Sequence, residues 1–167
     1  MPLPREIMPV GAMVFGFLVQ NYAEWRAGGP IPPNAGTVRR IFPAVSDRTR
    51  LLALVIVSVA VPLVCLVSLA IGVAWFVVAT AAALVMNAIA QLAFSLLAKR
   101  IQPGTLAGLI FMLPPSIWVV MTCGSQLGWT PVVFGPLLSV PFLIGVWWLA
   151  DLVGRGRDQF LLHRRPQ

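Results

Sequence analysis

Residues 51–98 read LLALVIVSVAVPLVCLVSLAIGVAWFVVATAAALVMNAIAQLAFSLLA, which is 48 consecutive positions without a lysine, arginine, aspartate or glutamate. Residues 101–150 form a second uncharged stretch, of 50 positions. About 20 apolar residues in a helix cross the hydrocarbon core of a bilayer, so each stretch is long enough for two crossings. The sequence therefore predicts a protein whose solvent is lipid.

The composition of the whole chain agrees with this interpretation. Charged residues make up 10% of the 167 positions and hydrophobic residues 59%, whereas a water-soluble domain carries about 25% charged residues. We predict one integral membrane domain over residues 1–167, all-α, folded as a polytopic transmembrane helical bundle. Its five predicted spans are residues 8–25, 51–70, 74–98, 105–123 and 129–151.

Membrane topology accounts for the net charge of +7. Eleven of the twelve basic residues lie in the predicted loop 26–50, at Lys99 and Arg100, or in a basic C-terminal tail, residues 152–167. Basic loops stay in the cytoplasm, so the pattern predicts a cytoplasmic-membrane protein with its N-terminus outside and its C-terminus inside. This placement removes the reason to expect nucleic acid as a partner.

The loop and the tail both mix arginines with bulky apolar residues. This combination suits a surface lying on anionic lipid headgroups, where each cation contributes about 1 kcal/mol. A docking face for another membrane protein or for a second copy of the chain is the alternative. The arginines expected to contact lipid headgroups are Arg39, Arg40, Arg155, Arg157, Arg164 and Arg165.

The first span is the weakest of the five, because its uncharged run covers only residues 7–23. A cleaved signal peptide would need a positively charged leader and a cleavage site of small residues. Here Arg5 is balanced by Glu6, and no such site precedes residues 21–24. We therefore expect this segment to be retained as a helix.

Polar side chains recur at helical spacing within two of the spans, and an aspartate lies at the end of a third. Such groups are costly in hydrocarbon, so they normally face the protein interior and find partners. Residues three or four positions apart share a helix face, and the predicted topology puts all of these groups in the inner half of the bilayer. The predicted intramembrane polar cluster consists of Gln20, Asn21, Glu24, Asn87, Gln91, Ser95 and Asp151.

Three functions are compatible with such a cluster. In the one that we favour, the polar groups hydrogen-bond between helices and hold the bundle together. In the second, Glu24 is the general base of a membrane-embedded enzyme acting on a lipid or other apolar substrate, which Asn21, Asn87 and Gln91 position. In the third, Glu24 and Asp151 carry protons in a small transporter whose proline kinks act as hinges.

Small residues and prolines predict how the helices pack and bend. Gly104 and Gly108 form a small-xxx-small pair, which allows close helix contact in a membrane. Pro114 and Pro115 predict a kink in the fourth span, and the three prolines of residues 131–141 predict another in the fifth. The kinks by themselves do not identify a function.

Three sequence motifs fall at the same polar positions. Residues 21–25 read NYAEW, residues 87–91 read NAIAQ, and residues 99–115 read KRIQPGTLAGLIFMLPP. They resemble motifs of the HXXEE-motif family of small bacterial membrane proteins. That family has His-x-x-Glu-Glu in its first helix and Asn-x-x-x-His in a later one, followed by a basic pair, a Pro-Gly entry and a proline-containing helix. Most of the likeness lies in residues 86–115, about a fifth of the chain.

The resemblance implies a bacterial membrane protein with a His and Glu cluster able to bind a metal or move protons. Glu24 and Asn87 match the motifs, but Asn21 replaces the first His, Trp25 the second Glu, and Gln91 the later His. Amides are poor ligands for transition metals compared with imidazole and carboxylate. We therefore expect no metal or cofactor, and a non-catalytic accessory or structural membrane protein that keeps the family scaffold.

Overall fold

The structure, a computed structural model, describes residues 4–27, 46–97 and 99–163. Within these ranges the chain forms five helices and no strand, so the predicted all-α bundle is confirmed. Most of the predicted loop 26–50 lies outside the described residues, as do Ala98 and residues 164–167. The helices are α1 (Pro4–Arg26), α2 (Asp47–Ile71), α3 (Ala74–Leu97), α4 (Thr105–Gln126) and α5 (Thr130–His163).

Four helical segments in the described part of the chain are long and apolar enough to cross a bilayer. They contain 22 to 25 residues each, and at 1.5 Å per residue the shortest is about 33 Å long. That length matches the hydrocarbon core. The first helix, α1, has 23 residues but is not one of the four, so a fifth crossing stays a prediction. The four segments are Asp47–Ile71, Ala74–Leu97, Thr105–Gln126 and Thr130–Gly154.

The last helix is longer than the predicted span 129–151. It continues to His163, so the first part of the predicted tail 152–167 extends α5. The apolar stretch ends at Ala150, but no proline follows it before residue 164 to interrupt the helix. The helix therefore extends beyond the end of its apolar segment.

Two glycines make the tight connections between neighbouring helices. Gly72 has a φ of 73°, and the N–H of Val73 donates to the carbonyl of Ser68 at 2.9 Å. A left-handed glycine of this kind is a common way to end a helix, and α3 begins two residues later. Gly128, with a φ of 68°, lies in the connection between α4 and α5. Both connections lie where the sequence predicts a break between two spans.

Helix α4 is irregular near its beginning. It starts with α-helical residues Thr105–Ala107, continues as a π-helical turn over Gly108–Met112, and becomes α-helical again over Leu113–Cys123. Pro114 and Pro115 follow the π turn directly. Prolines have no N–H and cannot make an α-helical hydrogen bond to the carbonyl four residues earlier, so this departure from regular α-helix follows from the sequence.

Helices α1 and α4 pack backbone to backbone and run antiparallel. A Cβ atom added to Gly16 of α1 would lie 2.0 Å from the carbonyl oxygen of Phe111 in α4. Two turns further along α1, the side chain of Glu24 lies against Gly104, just before α4 begins. Advancing along α1 therefore means moving back along α4, and the C-terminal end of α1 meets the N-terminal end of α4.

The other close pairs complete an up-and-down bundle. Gly135 of α5 packs on the Ala79 carbonyl near the start of α3, with a hypothetical Cβ 2.1 Å from that oxygen, so α3 and α5 are parallel. Ala53, early in α2, packs against Ala150, late in α5's apolar segment, so α2 and α5 are antiparallel. The end of α1, the beginning of α2, and the α3–α4 turn at residues 99–104 consequently share one end of the bundle, which we call the basic end.

The helices enclose an apolar core and leave an apolar outer surface. The core includes buried side chains from α1 to α4, among them Met13, Val78, Met112 and Val119, and both free cysteines. Large apolar side chains are exposed on every helix, as on a protein surrounded by acyl chains. Examples, one from each helix, are Phe15, Leu66, Leu97, Met121 and Leu137.

Candidate functional site

The candidate site is centred on Glu24, in the last turn of α1. Its carboxylate is buried, with 4% of the residue exposed. Gln20, one turn earlier on the same helix, donates from Nε2 to Glu24 Oε1 at 3.1 Å. Gln91 of α3 donates from its own Nε2 to the same oxygen. We call these three side chains the Glu24 triad; it joins α1 to α3 through a side-chain hydrogen bond.

Two glycines, one just before α4 and one in its first turn, provide the surface on which the triad lies. A Cβ atom at Gly104 would come within 2.6 Å of Glu24 Cγ and 2.8 Å of its Oε1. A Cβ atom at Gly108 would come within 2.7 Å of Gln20 Oε1. The predicted small-xxx-small pair therefore makes room for polar side chains of α1.

The N-terminal end of α4 gives the carboxylate a favourable electrostatic position. Gly104 is the residue immediately before α4, and Glu24 packs on it. The first N–H groups of a helix have no partners within the helix and carry about half a positive charge together. A carboxylate at this end is stabilised, which helps to explain a buried Glu24 without an ion pair to a basic residue in the described part of the chain.

Two further sets of hydrogen bonds flank the Glu24 triad. Asn21 of α1 donates from Nδ2 to Ser58 Oγ of α2 at 2.8 Å, and Ser58 donates to the Leu54 carbonyl at 2.7 Å. Ser95 of α3 is 2.9 Å from Thr105 Oγ1 of α4 and accepts from the Gln102 N–H at 3.0 Å. With the triad, these bonds link α1 to α2, α1 to α3, and α3 to α4.

The structure thus brings five of the seven predicted cluster residues close to the basic end, in the three sets just described. Asn87 lies one turn before Gln91 on α3 and is half-buried, but the hydrogen bonds of the triad do not include it. Asp151 is buried on α5 and follows Ala150, which packs against Ala53 of α2. The contacts that define the triad do not include Asp151 either.

Ser58 and Thr105 could not be recognised as partners from the sequence. Ser58 interrupts a long apolar run, which was the available signal, but a serine in a helix can satisfy itself on the carbonyl four residues earlier. Thr105 stands at the beginning of α4, where a hydroxyl is commonly explained by the helix end. Neither position therefore indicates a hydrogen-bond partner on another helix.

The Glu24 triad also contains two polar atoms without partners. Gln20 Oε1 and Gln91 Oε1 are buried and accept no hydrogen bond from the residues that the structure describes. An unpaired buried acceptor costs about 1–3 kcal/mol. The described residues contain no group of three or more His, Cys, Asp or Glu side chains able to hold a metal ion.

The basic residues expected to contact lipid fall mainly beyond the described structure. Arg39, Arg40, Arg164 and Arg165 lie outside the described residues, and so do the side chains of Arg155 and Arg157. Among the described residues, Arg26, Lys99 and Arg100 are exposed at the basic end. Lys99 adopts a left-handed backbone conformation with a φ of 50° in the α3–α4 turn.

The fold and site define a class: a helical bundle with four apolar helices that could span a membrane and a buried polar cluster at one end. Comparison with protein-family models, with curated proteins and with solved structures found no match.

We expect Gly104→Ala to destabilise the protein more than Gly128→Ala does. Both glycines have positive φ, so both substitutions carry the left-handed penalty of roughly 1–2 kcal/mol. Only the Gly104 substitution also pushes against Glu24, because Gly128 has nothing within 4 Å of a hypothetical Cβ. The Glu24 side chain can shift, so the difference should be about 1 kcal/mol. Unfolding in detergent micelles measures it, and equal losses would contradict the contact between Glu24 and Gly104.

Proposed function

We propose that this chain is a non-catalytic integral membrane protein of accessory or structural type, whose polar cluster fixes α1 to the rest of the bundle. One observation carries the proposal: side-chain hydrogen bonds of the cluster connect α1 to two other helices. Glu24 joins α1 to α3, and Asn21 joins α1 to α2. Side chains whose hydrogen bonds are already made between helices serve as packing elements, and α1, which is less apolar than the other four helices, depends on them most.

The proposal includes a location. The positively charged residues gathered at the basic end favour a cytoplasmic position for that end, in a bacterial cytoplasmic membrane, with the N-terminus of α1 outside. Anionic lipid headgroups would be attracted to the exposed cations there. A further membrane protein, or a second copy of the chain, is the partner that an accessory role requires.

The resemblance to the HXXEE-motif family supports the same role. The two side chains that match the family motifs differ in their contacts, because Glu24 lies in the triad whereas Asn87 does not. Gln91, at the position of the family's later His, donates a hydrogen bond to Glu24. An amide there keeps the link between α1 and α3 but removes a good transition-metal ligand. We infer that the chain retains such a scaffold for its shape.

Substitution of Glu24 tests the proposal. Glu24→Gln keeps an oxygen that accepts from both amides, and its new N–H groups can donate to their unpaired oxygens, so we expect a loss below about 1 kcal/mol. Glu24→Leu leaves two buried amide N–H groups unpaired and should cost about 2 kcal/mol or more. Unfolding of both variants in detergent micelles, with wild type as reference, gives the comparison.

The same pair of variants distinguishes the packing role from the alternative in which the protein is an enzyme. The observation in its favour is a buried carboxylate at a polar cluster. If Glu24 is a general base, Glu24→Gln will fold normally and fail to replace the wild-type gene in a strain whose phenotype depends on it. A fully functional Glu24→Gln variant, paired with an unstable Glu24→Leu variant, is the result that the packing role predicts.

A further inference from the structure

Two amide oxygens of the Glu24 triad are buried without a partner. The nitrogens of Gln20 and Gln91 both donate to Glu24 Oε1, while the oxygens of both amides accept no hydrogen bond within the described part of the chain. Gln20 is 1% exposed, so bulk water does not reach its oxygen. Buried polar side chains are nearly always hydrogen-bonded, and an exception requires a physical explanation.

Rotation of the two amides supplies one. Turning a glutamine carboxamide by half a turn exchanges its nitrogen and its oxygen, which have nearly the same shape. With both amides turned, two carbonyl oxygens face the carboxylate oxygen of Glu24. Three oxygens in this arrangement repel one another unless a cation lies between them. The triad can therefore hold a bare carboxylate with two donors, or surround a cation with oxygen ligands alone.

We propose that Gln20, Glu24 and Gln91 bind one sodium ion. Hard cations take carboxylate, amide and carbonyl oxygens as ligands, and the triad provides one carboxylate and two amide oxygens. A monovalent ion neutralises the single negative charge of Glu24. A divalent ion would leave a net positive charge in a buried place, which is unfavourable.

The surroundings of the triad are compatible with this occupant. The N-terminal end of α4 offsets only about half of the carboxylate charge, so a full countercharge is still favourable. Because Gly104 and Gly108 have no side chains, atoms of Glu24 and Gln20 lie directly against their backbone, in the space that a Cβ would need. The exposed Arg26 follows Glu24 by two residues, so the triad lies only about half a helical turn from the basic end.

The experiment measures the melting temperature of the purified full-length protein in detergent at constant ionic strength, with NaCl replacing choline chloride stepwise. A ligand that binds only the folded state stabilises it in proportion to the logarithm of its concentration once the site is filling. We expect the melting temperature to rise as the NaCl concentration increases. Samples that contain choline chloride alone should keep the starting value. Glu24→Gln and Gln91→Leu should each abolish the increase. Gln126→Leu, which changes an exposed glutamine, should keep it.

An unchanged melting temperature on replacing choline with sodium would overturn the sodium site. So would a sodium-dependent increase that persists in both Glu24→Gln and Gln91→Leu. A melting temperature that changes with pH but not with sodium would identify the occupant as a proton. That result would also overturn the sodium site. The proposal goes beyond the packing role and fails separately from it, because melting of Glu24→Leu in choline chloride tests packing alone.

Discussion

The Gly16→Ala variant is expected to lose about 3 kcal/mol or more of stability, mostly by releasing α1 from α4. The added methyl group would lie 2.0 Å from the carbonyl oxygen of Phe111 and 2.7 Å from Cα of Met112. Both are backbone atoms, so no side-chain rotation can relieve the clash, and overpacking of this kind commonly costs 1–3 kcal/mol or more. The two helices would have to separate, which would also pull Glu24 and Gln20 from their glycine surface.

Gly11→Ala is the matched control for this variant. Gly11 lies on the same helix and has nothing within 4 Å of a hypothetical Cβ. Alanine is favoured over glycine inside a helix by up to about 1 kcal/mol, so the control should be neutral or slightly more stable. Hydrogen exchange in detergent should show lost protection in α1 for Gly16→Ala, with α3 protected as in wild type. If Gly16→Ala and Gly11→Ala behave alike, the described contact between α1 and α4 is wrong.

The hydropathy of the chain was enough to predict the architecture. Lipid imposes a simple rule, because a spanning helix must satisfy its own backbone groups and expose apolar side chains. Long uncharged stretches and the glycines between them therefore locate α2 to α5. The same rule says little about α1, whose apolar run is short, and it does not say where α5 ends, because a helix can continue past the apolar segment.

The rotation of each helix about its axis could not be predicted in the same way. In water, a hydrophobic stripe marks the face that packs inward, but in lipid the outer face is as apolar as the inner one. The helical spacing of Gln20 and Glu24 could be recognised because polar residues mark a buried face. Gly16 and Gly135 carried no such mark, since each is one small residue within an apolar helix.

The partners of the polar residues also depend on information that a single sequence does not contain. Ser95 and Thr105 lie on either side of a short turn, so their contact follows from local geometry once α3 and α4 are antiparallel. Asn21 and Ser58 are 37 positions apart, and their pairing depends on the axial position of α2 relative to α1. Asp151 lies on α5 next to Ala150, which packs against α2, and its association with the other cluster residues stays a prediction.

Gly135→Ala should be the most damaging substitution in the four apolar helices. A methyl group at this position would lie 2.1 Å from the carbonyl oxygen of Ala79 and 2.8 Å from its Cα, so α3 and α5 could no longer remain in contact there. Because α3 also packs against α1, α2 and α4, we expect loss of the whole fold, at about 3 kcal/mol or more. This differs from Gly16→Ala, which should release one helix.

Gly145→Ala is the control for Gly135→Ala on the same helix. Gly145 is exposed, and a hypothetical Cβ there has no neighbour within 4 Å, so the substitution should be neutral or slightly stabilising through helix propensity. Thermal unfolding in detergent should show a large fall in melting temperature for Gly135→Ala and little or no fall for Gly145→Ala. Equal melting temperatures would mean that α3 and α5 do not meet at Ala79. The parallel arrangement that places the apolar segments of α3 and α5 side by side would then lose its main support.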